Sequence, residues 1–170
     1  MANIDNYLPK LLGLEGGFVN DPADRGGATT MGITLSTWLK VGYDKDGDHD
    51  IDADDIRLLN QDDFCMVLKK FYWNRWHADE IRDQKLAEML VDWLWSSGRW
   101  GIIIPQRLLQ LPEDGIVGPQ TISAVNHADP RNLLMRVYNS RLAFIRDLIR
   151  KDPLQKRFEK GWVTRINSLI

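Results

Sequence analysis

The 170-residue chain is short of several things, and each shortage excludes something. It has a single cysteine, Cys65, so no disulfide can form within the chain, and a small apolar packing role is expected for it. It has no excess of basic charge. Lysine and arginine number 22 against 24 acidic residues, a net charge of −2, which removes the electrostatic footprint of a general nucleic-acid binder. It has no long apolar run, and "GIIIP" is far too short to span a bilayer, so no stable membrane insertion is expected. The first residues, "MANIDNYLPK", lack the basic, apolar, small-residue order of a signal peptide. Synthesis in the cytoplasm is expected, with any action outside requiring another route.

What is present points to a globule. Apolar residues make up 44% and charged residues 27%, enough for one core or for two lobes in contact. The apolar spacing is mostly helical. Ile4, Tyr7, Leu8, Leu11 and Leu12 predict a first helix that stops near Gly16 and Gly17. From Phe18 to Thr34 the helical period is lost among Pro22, Gly26, Gly27 and Gly32, which predicts turns and a short hairpin. Further starts are expected at Thr34 or Ser36, at Asn60, at Asp83, near Pro105, at Pro119 and at Asp129-Pro130, with a last helix carrying Phe158, Trp162, Ile166 and Leu169. The fold class is therefore mainly α, with a small hairpin or loop region after the first helix. "QLPEDGIVG" is the best boundary, dividing the chain into 1–110 and 111–170.

The chemistry concentrates at the front. Glu15 closes the first helix, Asp24 follows nine residues later, and Thr30 six further. Burial and the negative end of a helix dipole both favour a carboxyl that keeps its proton, as a general acid for glycosidic cleavage requires. A second carboxylate must activate water or stabilise positive charge. Asp24 suits that task, with Thr30 holding the water, and Asp21 in the same loop is its rival. Asp21 and Asp24 also read as ordinary turn residues. Phe18, Trp73, Trp76 and Trp100 are candidates to line a saccharide groove.

"EGGFVNDPADRGGATTMGIT", Glu15 to Thr34, resembles the N-terminal motif of glycoside hydrolase family 108, whose members are N-acetylmuramidases or secretion activators. The resemblance implies a lysozyme-like helical fold, Glu15 as the catalytic acid and peptidoglycan as substrate, cleaved between N-acetylmuramic acid and N-acetylglucosamine. The Glu–Asp–Thr spacing is also similar to that of the inverting phage-type lysozymes, which implies Glu15, Asp24 and Thr30 as the active-site set. Those enzymes carry histidine where this chain has Thr34, leaving the role of Thr34 open. "DGIVGPQTISAVN", Asp114 to Asn126, and "FEKGWVTRINSL", Phe158 to Leu169, resemble the peptidoglycan-binding part that follows in this family. Lytic transglycosylase chemistry and a non-catalytic, wall-binding secretion activator are the alternatives. The family likeness and the missing signal order imply action in the periplasm or at the cell wall after release through a holin-like pore or by lysis, and a monomer is expected. No cofactor is expected for catalysis.

"DKDGDHDIDADD" forms a separate insertion over 44–55. Calcium loops place oxygen ligands at positions 1, 3, 5, 7, 9 and 12. Here those positions are Asp44, Asp46, Asp48, Asp50, Asp52 and Asp55, so the segment resembles an EF-hand or dockerin-type loop holding a structural Ca2+. One departure stands out: position 6, which wants a positive φ, is His49 rather than glycine.

Overall fold

Side chains that accept from their own first turn explain where most of the helices begin. A computed structural model describes residues 1–15, 18 and 28–170. Its described residues hold nine α-helices: α1 (Ile4–Leu14), α2 (Leu35–Val41), α3 (Ala53–Arg57), α4 (Gln61–Leu68), α5 (Gln84–Ser97), α6 (Trp100–Leu108), α7 (Pro119–His127), α8 (Pro130–Lys151) and α9 (Glu159–Asn167). One two-stranded sheet joins β1 (Thr29–Thr30) to β2 (Ile33–Thr34). Asp83 accepts from the Leu86 N–H ahead of α5, and Asp129 from the Asn132 N–H ahead of α8. α3 and α4 begin with reciprocal capping boxes, Asp52 with Asp55 and Asn60 with Asp63. Gly118 followed by Pro119 starts α7.

The chain forms two compact units, Leu8–Phe71 and a second made of Met1–Tyr7 with Tyr72–Ile170. α1 and a π-helical turn, Lys69–Trp73, carry the chain from one to the other.

In the Leu8–Phe71 unit the hairpin pairs Thr29 with Thr34 and Thr30 with Ile33. Met31 (φ 49°) and Gly32 (φ 74°) form its two-residue turn, both in the left-handed region that a type I′ hairpin demands. α3 packs on β1 and α2 on β2. Trp38, Ile33, Ile56 and Phe64 are fully or almost fully buried.

The larger unit is built around α5. Residues Leu86 to Leu94 are buried without a break, so α5 is enclosed by its neighbours α6 and α8, and α8 also receives α7 and α9. α6 differs from the expectation of a start near Pro105: it begins at Trp100, holds Pro105 in its interior and ends at Leu108, leaving Leu109 and Leu111 outside. The reason is Gly101. A Cβ there would lie 2.3 Å from the Leu94 backbone N, so only glycine lets α6 turn back this tightly against α5. α9 is also shorter than expected, with Phe158 before it and Leu169, although buried, beyond it.

One buried charge cluster ties this unit together. Asp92 on α5 is completely buried and accepts from the Tyr7 hydroxyl (3.0 Å), Arg141 Nη2 of α8 (2.7 Å) and Arg165 Nε of α9 (3.0 Å). Burial alone would raise the Asp92 carboxyl, but the two guanidiniums overcome it and hold it below the usual carboxylate range. Burial, with Asp92 adding to it, keeps the Tyr7 hydroxyl protonated well past its ordinary range.

Candidate active site

Glu15 stands one residue past α1, half-buried, and its N–H still reaches back to the Leu11 carbonyl at 3.2 Å. α1 has no basic residue in its last turn, so the negative end of its dipole lies beside this position. The glutamate is therefore anchored by a helix terminus, as the spacing predicted. Asp21 and Asp24 lie outside the described residues.

Thr30 is on β1 and almost buried. Its hydroxyl donates to the Ile56 carbonyl at 2.7 Å, which commits its single proton. What remains on Oγ1 is acceptor capacity. A water held by Thr30 would therefore donate to it. Thr34, whose role the sequence left open, is the N-cap of α2: Oγ1 accepts from the Thr37 N–H at 3.2 Å. That is a structural duty.

α3 supports this region twice. Besides the Ile56 carbonyl under Thr30, it supplies Arg57, whose guanidinium sits 5.0 Å from the centre of the Phe18 ring. Phe18 is 38% exposed and remains a candidate to face a sugar. Trp73 and Trp76 do not. Both have zero exposure, and Trp73 Nε1 donates to Asp79 at 2.7 Å. They are core residues, a distinction helical spacing does not reveal. Trp100 is half exposed on α6.

The acidic segment leads directly into α3. Asp44, Asp46 and Asp48 bring carboxylate oxygens within 4.8 Å of one another, and so do Asp50, Asp52 and Asp55. His49 adopts φ 79°, so position 6 takes the left-handed turn without glycine. Asp44 accepts from the Gly47 and His49 N–H groups, which lower its pKa. Asp50 is raised, first by the charge of Asp48 and then by burial and the other carboxylates. Asp55 is buried and accepts from the Lys45 and Asp52 N–H groups. Lys45 in turn pairs with Asp63 at 2.7 Å, and Tyr43 donates to the same carboxylate, so the loop entrance is tied to α4.

These residues can be set beside known proteins. The Glycosyl hydrolase 108 model matches residues 8–98, more than half the chain and all of the region from Glu15 to α5. The chain belongs to the glycosyl hydrolase 108 family. A Predicted Peptidoglycan domain follows over residues 100–167. The structure of SagA from Brucella abortus superimposes with a TM-score of 0.78 at 25% identity, covering 97% of this chain and 90% of that one. No curated protein matches. As a member of the glycosyl hydrolase 108 family, the chain has the mainly α, lysozyme-like fold that its motif implies, and the match of its second half supports peptidoglycan as its partner.

Within that second half, the Asp114–Asn126 motif has structural work. The buried Gln106 side chain donates to Asp114 Oδ1 (2.8 Å) and the Ile116 carbonyl (2.9 Å), and accepts from the Gly115 N–H (2.9 Å). Asn126 bridges the Glu80 carbonyl and the Arg82 N–H. The sequence carried no sign of Gln106 as the centre of this turn.

Proposed function

We propose that this protein is a peptidoglycan N-acetylmuramidase that hydrolyses the β-1,4 bond between N-acetylmuramic acid and N-acetylglucosamine. The observation carrying the reading is Glu15, half-buried at the carbonyl end of α1 inside the family match. Glu15 would protonate the leaving oxygen. Asp24, with Asp21 as its rival, would direct water to the anomeric carbon, and Thr30 would accept a hydrogen bond from that water. Incubating purified peptidoglycan with wild type and Glu15→Gln, followed by mass spectrometry, tests this. Reducing-end muropeptides from wild type alone are expected. Anhydro ends would show a lytic transglycosylase, and wall binding without release by either form would show a secretion activator.

We propose in addition that the 44–55 loop takes one structural Ca2+ on Asp44, Asp46, Asp48, Asp52 and Asp55 with the Asp50 carbonyl. The reasons are the ligand spacing, the carboxylates of Asp44, Asp46 and Asp48 within 4.8 Å of one another, and the left-handed turn at His49. Calorimetry with Ca2+ on wild type and on Asp44→Ala/Asp48→Ala measures it; absence of heat in both contradicts it. The ion would be structural, since it acts through α3. The proposed site of action is the periplasm or cell wall, reached as a monomer through a pore made by another, holin-like protein. No described helix is long and apolar enough to cross a membrane.

A further inference from the structure

Within the larger unit, α6 and α8 each set a stripe of side chains along their shared seam. On α6 the stripe is Trp100, Ile104 and Leu108, at i, i+4 and i+8. On α8 it runs from Ser140 through Ala143, Phe144 and Leu148 to Lys151. The two helices are tied at two points. The Trp100 and Phe144 ring centres lie 6.4 Å apart, and Arg136 donates to the Leu108 carbonyl. Ser140 and Ala143 fall between those ties on α8. Both are small, and a groove of ≈ 480 Å³ is left beside them, in the size range of small-ligand sites.

The groove joins apolar surface to polar edges. Trp100 is 50% exposed and Leu148 36%. Of the polar side chains, Arg107 is held by both carboxylate oxygens of Glu113 (2.8 and 2.6 Å), and Asp147 pairs with Arg150 (3.1 Å). Among the described residues, Ser140 and Lys151 have no such partner, so their donors are uncommitted. Ten residues line the groove, whereas a stable protein interface takes about 20 to 30 a side, so a small ligand fits better than a folded partner or a second copy. The whole lining falls inside the 100–167 match to the Predicted Peptidoglycan domain.

We propose that the α6–α8 groove binds one β-1,4-linked disaccharide unit of a peptidoglycan strand, with the apolar face of a sugar ring on Trp100 and sugar oxygens at Ser140 and Lys151. An indole offers a flat, weakly negative face, and the C–H groups on a pyranose face are weakly positive, while the hydroxyl and acetamido groups point outward from the ring edge. The groove has the matching order, an aromatic platform with donors at its margins. Phe144 and Lys151 are about 10 Å apart along α8, a span that takes two rings rather than one. The assignment rests on peptidoglycan as the partner, not on Glu15 as the acid. The groove uses neither Glu15 nor Thr30, so it holds a strand without cutting it.

The test uses the full chain labelled with ¹⁵N-tryptophan, and two probes. One is N-acetylglucosaminyl-β-1,4-N-acetylmuramic acid, which lacks the bond a muramidase cleaves. The other is the stem fragment L-alanyl-D-isoglutamine. The disaccharide is expected to shift the Trp100 indole signal saturably, and the stem fragment to leave it unmoved. Trp38, Trp73 and Trp76, with zero exposure, are the internal controls. Trp100→Ala should weaken disaccharide binding several-fold. Ala143→Gln keeps a good helix former at an exposed position and fills the groove, so it should do the same with Trp100 in place. Retention on purified peptidoglycan is read in a Glu15→Gln background, and each change should lower it. Retention with a silent Trp100 signal, or retention that neither change affects, would overturn the groove and leave peptidoglycan as the partner. No retention and no shift would overturn both. A Trp100 signal that answers to the stem fragment, or to protein concentration as for a second copy, would overturn the glycan assignment.

Discussion

Replacing Asp92 by asparagine should be among the most damaging single changes in the chain. The carboxylate is completely buried and neutralises Arg141 and Arg165 while accepting from Tyr7. Asparagine keeps the shape but removes the charge and turns one acceptor into a donor facing guanidinium hydrogens. Breaking a buried ion pair by removing one partner costs about 3 to 5 kcal/mol. Arg141 has no route to water, whereas Arg165 has a partial one, which favours the lower half of that range. At ~2 to 4 °C per kcal/mol for a chain this long, Tm should fall by about 10 °C. Acid adds a second reading. The Asp92 carboxyl is depressed in the folded state, so its contribution is fully present above its unfolded value of about 3.9 and is lost as pH falls through the lower folded value. Wild type should therefore lose stability below about pH 4 more steeply than Asp92→Asn, which lacks that carboxylate to protonate. Circular dichroism melts at pH 7 and through the acid range measure both. A melting point at pH 7 within two or three degrees of wild type would refute the reasoning, because the buried Arg141 guanidinium would then need no carboxylate beside it.

Three further outcomes are expected. Gly101→Ala should lower stability by about 2 kcal/mol or more, because its Cβ would collide with Leu94 backbone rather than a movable side chain; a denaturant titration measures it. Thr34→Ala removes the α2 cap and should cost about 1 kcal/mol while leaving peptidoglycan turnover near wild type, which melts and turbidity assays separate. Thr30→Ser should keep most activity and Thr30→Val should lose it, the valine also leaving the Ile56 carbonyl without its donor; equal turnover by the two would remove Thr30 from the site.

The parts of the fold that were legible in the sequence are those set by local chemistry. Asn60, Asp83 and Asp129 announce their helices because a short polar side chain satisfies the first-turn N–H groups wherever it stands. The Met31-Gly32 turn lay where the period failed. Pro105 misled for an equally physical reason: a proline favours a helix start, and the contact that fixes α6 instead is Gly101 against α5, a tertiary fact. The Asp92–Arg141–Arg165 cluster spans residues 49 and 73 positions apart, and nothing in the spacing joins them. A charge inside the apolar run "EMLVDWLW" was the available sign. At the front, the helix end at Glu15 and the hairpin that holds Thr30 were readable from the sequence, whereas the burial of Trp73 and Trp76 was not, because a tryptophan at helical spacing looks the same in a core and in a groove.

The central claim is that Glu15 is the proton donor for cleavage of the glycan. The most direct measurement is the rate of reducing-end release from purified peptidoglycan by wild type and Glu15→Gln, at matched folding by circular dichroism. Losing a positioned general acid should lower the rate by about 10²-fold or more. Equal release by the two proteins would contradict the account.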